Sequence, residues 1–259
     1  MPAKERNYVD HIDAVKDHDT WLHAPQKLPR MSPIELNEIH GVLAFDGVRN
    51  PSSRSNTSHK VFIPYCAPAN DGVPKIGIAE SAAEAAVALQ LLMCPNVYDL
   101  HFQPLSVKFT DEYGANRTHT YDFQVTFRCG HRRLVYVRNE ESLKKQRTIR
   151  EIDAISTATP KSAADDLIVV NANDYTRQRR ENLFRMYSFM AAPDWEADDA
   201  VWQKACGLRT LYYMKDLFPI VGVSQRRAFG ACYRLVAQGL LHANLDQVLW
   251  EHSHIGVAA

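Results

Sequence analysis

The chain has 259 residues, 46% of them hydrophobic and 23% charged, with 30 lysines and arginines balanced by 30 aspartates and glutamates. That length and apolar content build one large domain or two modest ones around a packed core, which excludes a disordered or fibrous chain. No apolar run approaches the ~18 to 20 residues that span a bilayer, and the polar start MPAKERNYVDHID lacks a signal-peptide core, so a cytoplasmic protein with no membrane partner is expected.

Residues 1–60 read as a lead-in, with a helix around Pro33 to Gly41 and then the turn-rich loop RNPSSRSNTSHK. From Val61 the pattern tightens. VFIPY predicts a short strand, PANDGVP a loop, and SAAEAAVALQLLM an alanine-rich helix stopped by Pro95. Three strands follow, over VYDLHFQPLSVKF, THTYDFQVTF and RRLVYV. In the second, His119, Tyr121, Phe123, Val125 and Phe127 alternate with Thr118, Thr120, Asp122, Gln124 and Thr126, so one face enters the core and Asp122 and Gln124 share the polar face. After the hairpin loop RCGHR, Val135 and Val137 form one face of the third strand and Leu134, Tyr136 and Arg138 the other. A basic helix from about Glu141 to Ile155, the strand LIVV and a helix from about Thr176 to Met190 complete an α/β core in the order αβββαβα.

The acidic stretch from Ala191 to Asp199 reads as a boundary. Beyond it come a helix over Val201 to Leu217, a break at Phe218-Pro219, a second helix with Ser224 as N-cap and Phe229, Cys232, Val236 and Leu240 on one stripe, and the strand QVLWEHSHI. With a wing-like turn at HANLDQ, this order suggests a winged helix. Gln225, Arg226, Arg227 and Arg234 would then face DNA or a partner protein.

Charge is unevenly spread. Arg128, Arg132, Arg133, Arg138, Lys144, Lys145, Arg147 and Arg150 stand against only Glu140 and Glu141. Such a run marks either an anionic partner or a solvated face. The five cysteines form no CxxC pair and the eleven histidines no HExxH motif, which argues against a zinc site.

Phosphodiester cleavage by a hard divalent cation needs oxygen ligands held on separate rigid elements. Glu84 on the alanine-rich helix and Asp122 on the central strand meet that need. Ser81-Ala-Ala-Glu84 also has the spacing of a capping box, in which the glutamate merely closes the helix start.

These features, in order, resemble the TnsA family of heteromeric transposase endonuclease subunits. The resemblance rests on Ser81 and Glu84, on CPNVYDLHFQP with Gln103-Pro104, on Asp122-Phe123, on the hairpin at Gly130, on LVYVR and on TRQRRENLFRMYSF. It implies a restriction-endonuclease-like mixed sheet flanked by helices over residues 61–192, and a winged helix over 198–259 that docks a regulator. It further implies magnesium- or manganese-dependent cutting of DNA at transposon ends, beside a transposase subunit and an ATP-dependent regulator. Carried over, Glu84, Asp122 and the Val137 carbonyl would hold the metal, and Arg138 would be the catalytic cation. Gln103, Arg128, Arg132, Arg133, Lys144, Lys145 and Arg147 would contact DNA. Two features depart from the family: Tyr136, Val137 and Arg138 stand where it has Glu or Gln, an apolar residue and Lys, and Tyr121 replaces a proline. Gln124 or Glu140 would have to supply the missing side-chain oxygen if the strands remain regular.

Overall fold

In the computed structural model, which describes residues 39–49, 60–208 and 213–258, the run SAAEAAVALQLLM forms the helix expected of it, α1 (Ala82–Met93). The Ser81 hydroxyl accepts the Glu84 backbone N–H, and Cys94 is already extended, as the residue before a proline tends to be. Ala85, Ala86 and Ala88 are fully buried, and such small side chains let the helix lie close to the strands beneath it. The helix expected at Pro33 to Gly41 and most of the loop after Arg49 lie outside the described residues.

Strand β1 (Val61–Tyr65) pairs antiparallel with β2 (Lys75–Ala79). The central sheet has four strands in the order β3 (Val97–Phe102), β6 (Phe123–Phe127), β7 (Arg132–Arg138), β8 (Asp166–Asn171). The first three are antiparallel, and β8 runs parallel to β7 after a helical crossover. β7 keeps the alternation read from its residues. Val135 and Val137 meet the main core under α1, while Leu134 and Tyr136 enter a second cluster on the other face.

Two expected strands are each divided. VYDLHFQPLSVKF becomes β3 and β4 (Ser106–Thr110), and THTYDFQVTF becomes β5 (Asn116–Thr120) and β6. The breaks face one another: the Gln103 N–H donates to the Asp122 carbonyl at 2.9 Å and the Tyr121 N–H to the Leu105 carbonyl at 3.0 Å. Gln103 turns the chain with a left-handed φ of 50°. The long hairpin therefore bends, and β4 and β5 leave the sheet as a separate pair. Asp122 consequently lies at the bend rather than inside a strand. The core face read for residues 119–127 is shared between two clusters, with Phe123 and Val125 in the main one and Tyr121 beside Phe109 and Ile155 in the second.

The basic helix is also two, α2 (Glu140–Leu143) and α3 (Gln146–Ala158). α4 (Arg177–Met190) starts at a Thr176 cap. α5 (Trp195–Gly207) begins earlier than expected, because Asp194 caps it and the acidic stretch read as a boundary is its first turn, where Glu196 and Asp198 favour the positive helix end. α6 (Gln225–Ala237) follows Ser224 as expected. QVLWEHSHI is not a strand over most of its length. The C-terminal pair is β9 (Leu241–Ala243) with β10 (Ile255–Val257). Arg234 is buried against Asp198 with its Nε 2.8 Å from Oδ1, which removes it from any DNA-facing surface. Among the described residues no helix is long and apolar enough to cross a membrane.

One apolar cluster runs from Ile63 to Ile255, with α4 packed between α1 and α6. Asn182 on α4, fully buried, ties this junction: its amide donates to the Leu245 and Gln247 carbonyls (2.8 and 2.7 Å) and its Oδ1 accepts the Leu249 N–H (2.9 Å). Asn182→Leu would leave three main-chain groups unpaired, at about 1 to 3 kcal/mol for each buried group. We expect a loss of at least ~3 kcal/mol in urea unfolding; a change below ~1 kcal/mol would contradict this role.

Candidate active site

Glu84 serves the helix start in the way its spacing suggested, with one difference. Its Oε1 accepts the Ser81 hydroxyl at 3.0 Å, while its Oε2 accepts the N–H of Glu80, one residue before the cap, at 2.8 Å. The bend in the sheet presents the second acid. Asp122 Oδ2 accepts the Val137 N–H at 2.7 Å, so the aspartate at the bend of one strand is locked to the last turn of the pleat on the next.

Three hydrogen bonds, joined through the covalent frames of Gln103 and Glu80, tie the Glu84 carboxylate to the main chain of Asp122. They run from the Gln103 N–H to the Asp122 carbonyl (2.9 Å), from Gln103 Nε2 to Glu80 Oε1 (3.3 Å), and from the Glu80 N–H to Glu84 Oε2 (2.8 Å). The Arg49 guanidinium forms an ion pair with Glu80. Burial pushes the Asp122 carboxyl well above the usual carboxylate range, the Glu84 charge adds to it, and the Val137 N–H and Arg138 oppose it. Burial likewise raises Glu84, helped by Glu80 and opposed by the hydrogen bonds from Glu80 and Ser81. Crowded acids in a partly dry place are a costly arrangement of the kind found at functional sites.

On the flank, the Arg138 guanidinium lies 5.0 Å from the Tyr136 ring centroid, and its Nε is buried with no partner. Tyr136 is buried in the second cluster, its phenol is pushed up to about 12 chiefly by burial, and it supplies no anionic oxygen to the acids. His119 packs on both tyrosines, 4.1 Å from the Tyr136 ring centroid and 4.9 Å from that of Tyr121, and its buried Nε2 has no partner.

Other expected residues are placed elsewhere or already engaged. Gln124 is tied through its Nε2 to the Ala163 carbonyl at 2.7 Å, beside the second cluster, and Glu140 pairs with Lys144 at 2.7 Å. Part of the basic run is matched by acids remote in sequence. Arg133 forks onto Asp166 (2.8 and 2.6 Å), Arg132 stands 4.0 Å from Asp165, and Arg150 meets Glu112 at 2.7 Å. Arg128 donates to the Pro95 carbonyl at 2.8 Å and Arg147 lies over Tyr113, while Lys145 is exposed. Gln103, expected to touch DNA, is 3% exposed. Glu80 and Arg49 were not singled out from the residues. The one available signal was a second glutamate immediately before the capping box.

Among the described residues, no group of three or more His, Cys, Asp or Glu side chains is arranged to hold a metal ion. Magnesium does not require three, since it is held through one or two carboxylates and completes its shell with waters and substrate oxygens. Glu84, Asp122 and the partnerless buried oxygen of Gln103 are all hard donors, and to that extent the residues fit such an ion. In comparisons with known proteins, no family model and no curated protein matches this chain.

His119 gives the flank a pH signature. Burial, with Arg138 and Arg49 nearby, lowers its pKa to about 4, against ~6.5 for the unfolded chain. The unfolded state therefore binds more protons between those values, and stability present above pH ~6.5 falls as pH drops toward 4. His119→Phe should flatten that fall relative to the wild type in denaturant unfolding measured between pH 6.5 and 4. An identical slope would count against a neutral buried imidazole.

Proposed function

We propose that the chain is a TnsA-like DNA endonuclease subunit, with a restriction-endonuclease-like α/β core and a winged-helix-like C-terminal part, which cuts phosphodiester bonds at transposon ends. The observation that carries this reading is the set of hydrogen bonds that ties the Glu84 carboxylate, through Glu80 and Gln103, to the main chain of Asp122. Acids from a helix and a sheet bend, remote in sequence, lie close enough beside a half-buried arginine for the Glu84 charge to raise the Asp122 carboxyl. A purely structural pair of carboxylates would gain nothing from mutual repulsion.

In this reading Glu84, Asp122 and the Val137 carbonyl hold Mg²⁺ or Mn²⁺, which when bound lowers the pKa of a water and neutralises charge on the phosphate. Asp122 is oriented by the Val137 N–H, and Glu84 by Ser81 and the Glu80 N–H. Arg138 contacts the scissile phosphate. Its guanidinium stays protonated at any working pH, so it stabilises charge and cannot act as a base. Tyr136 and Val135 fix the strand that presents it. The partners in this reading are a transposase subunit, an ATP-dependent regulator and DNA.

A second reading retains the scaffold and DNA end, without chemistry: a pseudonuclease that recruits partners. It is favoured by the burial of Tyr136 and by the pairing of Arg133 and Arg150 with Asp166 and Glu112.

Nicking of duplex transposon ends, assayed with the partner transposase and Mg²⁺, separates the two. Under the first reading Glu84→Gln, which retains an oxygen for the helix cap, and Asp122→Asn each reduce nicking at least ~100-fold. Wild-type protein that never nicks supports the second. Asp122→Asn carries a further expectation. A carboxylate whose folded pKa is raised costs stability above its unfolded pKa, so removing that charge should raise the melting temperature at neutral pH while cleavage is lost. A lower melting temperature would show that the ionised group stabilises the bend.

A further inference from the structure

We infer that Gln103 is an oxygen ligand of the same cation site, filling the place that Tyr136 cannot, and that Glu80 is the residue that positions it. The inference rests on the endonuclease reading and completes its ligand set from this chain's own residues. Gln103 is 3% exposed, and its Oε1 is buried with no hydrogen-bond partner. The other end of the same planar amide explains why. Nε2 lies 3.3 Å from Glu80 Oε1, and a carboxylate accepts but does not donate, so the nitrogen must face Glu80 and the oxygen is left free.

This placement is determined from both sides. The Gln103 N–H donates to the Asp122 carbonyl and its carbonyl accepts the Val48 N–H, each at 2.9 Å, with the residue held at a left-handed φ of 50°. Glu80 is anchored by Arg49, and its own N–H holds Glu84 Oε2 at 2.8 Å. One glutamate thus touches both a carboxylate of the site and the amide that offers the spare oxygen, which is the arrangement by which residues behind a metal orient its ligands. The chemistry suits the position. An amide oxygen is a hard, neutral donor, so it adds coordination without a further negative charge beside Glu84 and Asp122. Of the other candidates for the missing oxygen, Gln124 is tied through its Nε2 to Ala163 beside the second cluster and Glu140 pairs with Lys144.

Mn²⁺ titration calorimetry on the full chain, with and without duplex DNA, tests this directly. Gln103→Met removes the oxygen at similar length. Gln103→Asn withdraws it while its side chain tolerates the left-handed backbone better, and so carries the test if the methionine variant does not fold. With melting temperatures in EDTA no lower than wild type, each variant should bind Mn²⁺ about 10- to 100-fold more weakly. Glu80→Ala, which frees the amide to rotate, should weaken binding in the same direction. Unchanged Mn²⁺ affinity in a folded Gln103 variant, with binding lost in Glu84→Gln, overturns this inference and leaves the endonuclease reading standing. Wild-type protein that binds no Mn²⁺ under either condition overturns both.

Discussion

The bond from the Gln103 N–H to the Asp122 carbonyl, 2.9 Å long, is the constraint on which the rest of the described structure depends. It joins the two points at which long strands turn out of the central sheet. Had either strand continued straight, Asp122 would have stood on a sheet face with its neighbours Gln124 and Thr126, far from the start of α1. The bend instead frees its carboxylate to accept the Val137 N–H, and releases β4 and β5 to close the second apolar cluster over Leu134 and Tyr136. A left-handed non-glycine residue is costly to maintain, and strain of that kind persists only where its surroundings enforce it. At Gln103 they do, through hydrogen bonds on the N–H, the carbonyl and the amide nitrogen.

Electrostatics divide the molecule into two regimes. Across most of the surface, opposite charges find each other: Arg133 with Asp166, Arg150 with Glu112, Arg179 with Asp246, Arg227 with Asp194. Exposed pairs of this sort contribute little to stability, but they cancel the local field that a basic run would otherwise project. At the bend the rule is reversed. Like charges are gathered, partly buried, with Arg49, Arg138 and Lys60 in opposition.

Much of the fold was legible because it depends on local rules. Ser81, the alanine run and Pro95 mark α1 at both ends. Alternation in RRLVYVR assigns each side chain of β7 to its face, and Ser224 marks the start of α6. The misread elements share a cause. Asp122 in an alternating run looked like a polar-face residue because periodicity cannot register that a partner strand bends beside it. The acidic stretch at Asp194 looked like a linker because an N-cap and an acidic first turn have the composition of a loop. The basic run looked unopposed because its acids, at positions 112, 165 and 166, lie outside the local stretch.

By itself the sequence determined the start of α1 at Ser81 with Glu84 against its cap, and the two faces of β7, since each follows from spacing within one segment. Only the tertiary structure decided that hydrogen bonds through Glu80 and Gln103 tie Glu84 to the main chain of Asp122, and that Arg133 and Arg150 meet acids outside the basic run. The reason is physical. Spacing governs what neighbours along the chain can do, whereas the charge a side chain experiences is set by whatever the fold brings within a few ångströms of it, at any separation in sequence.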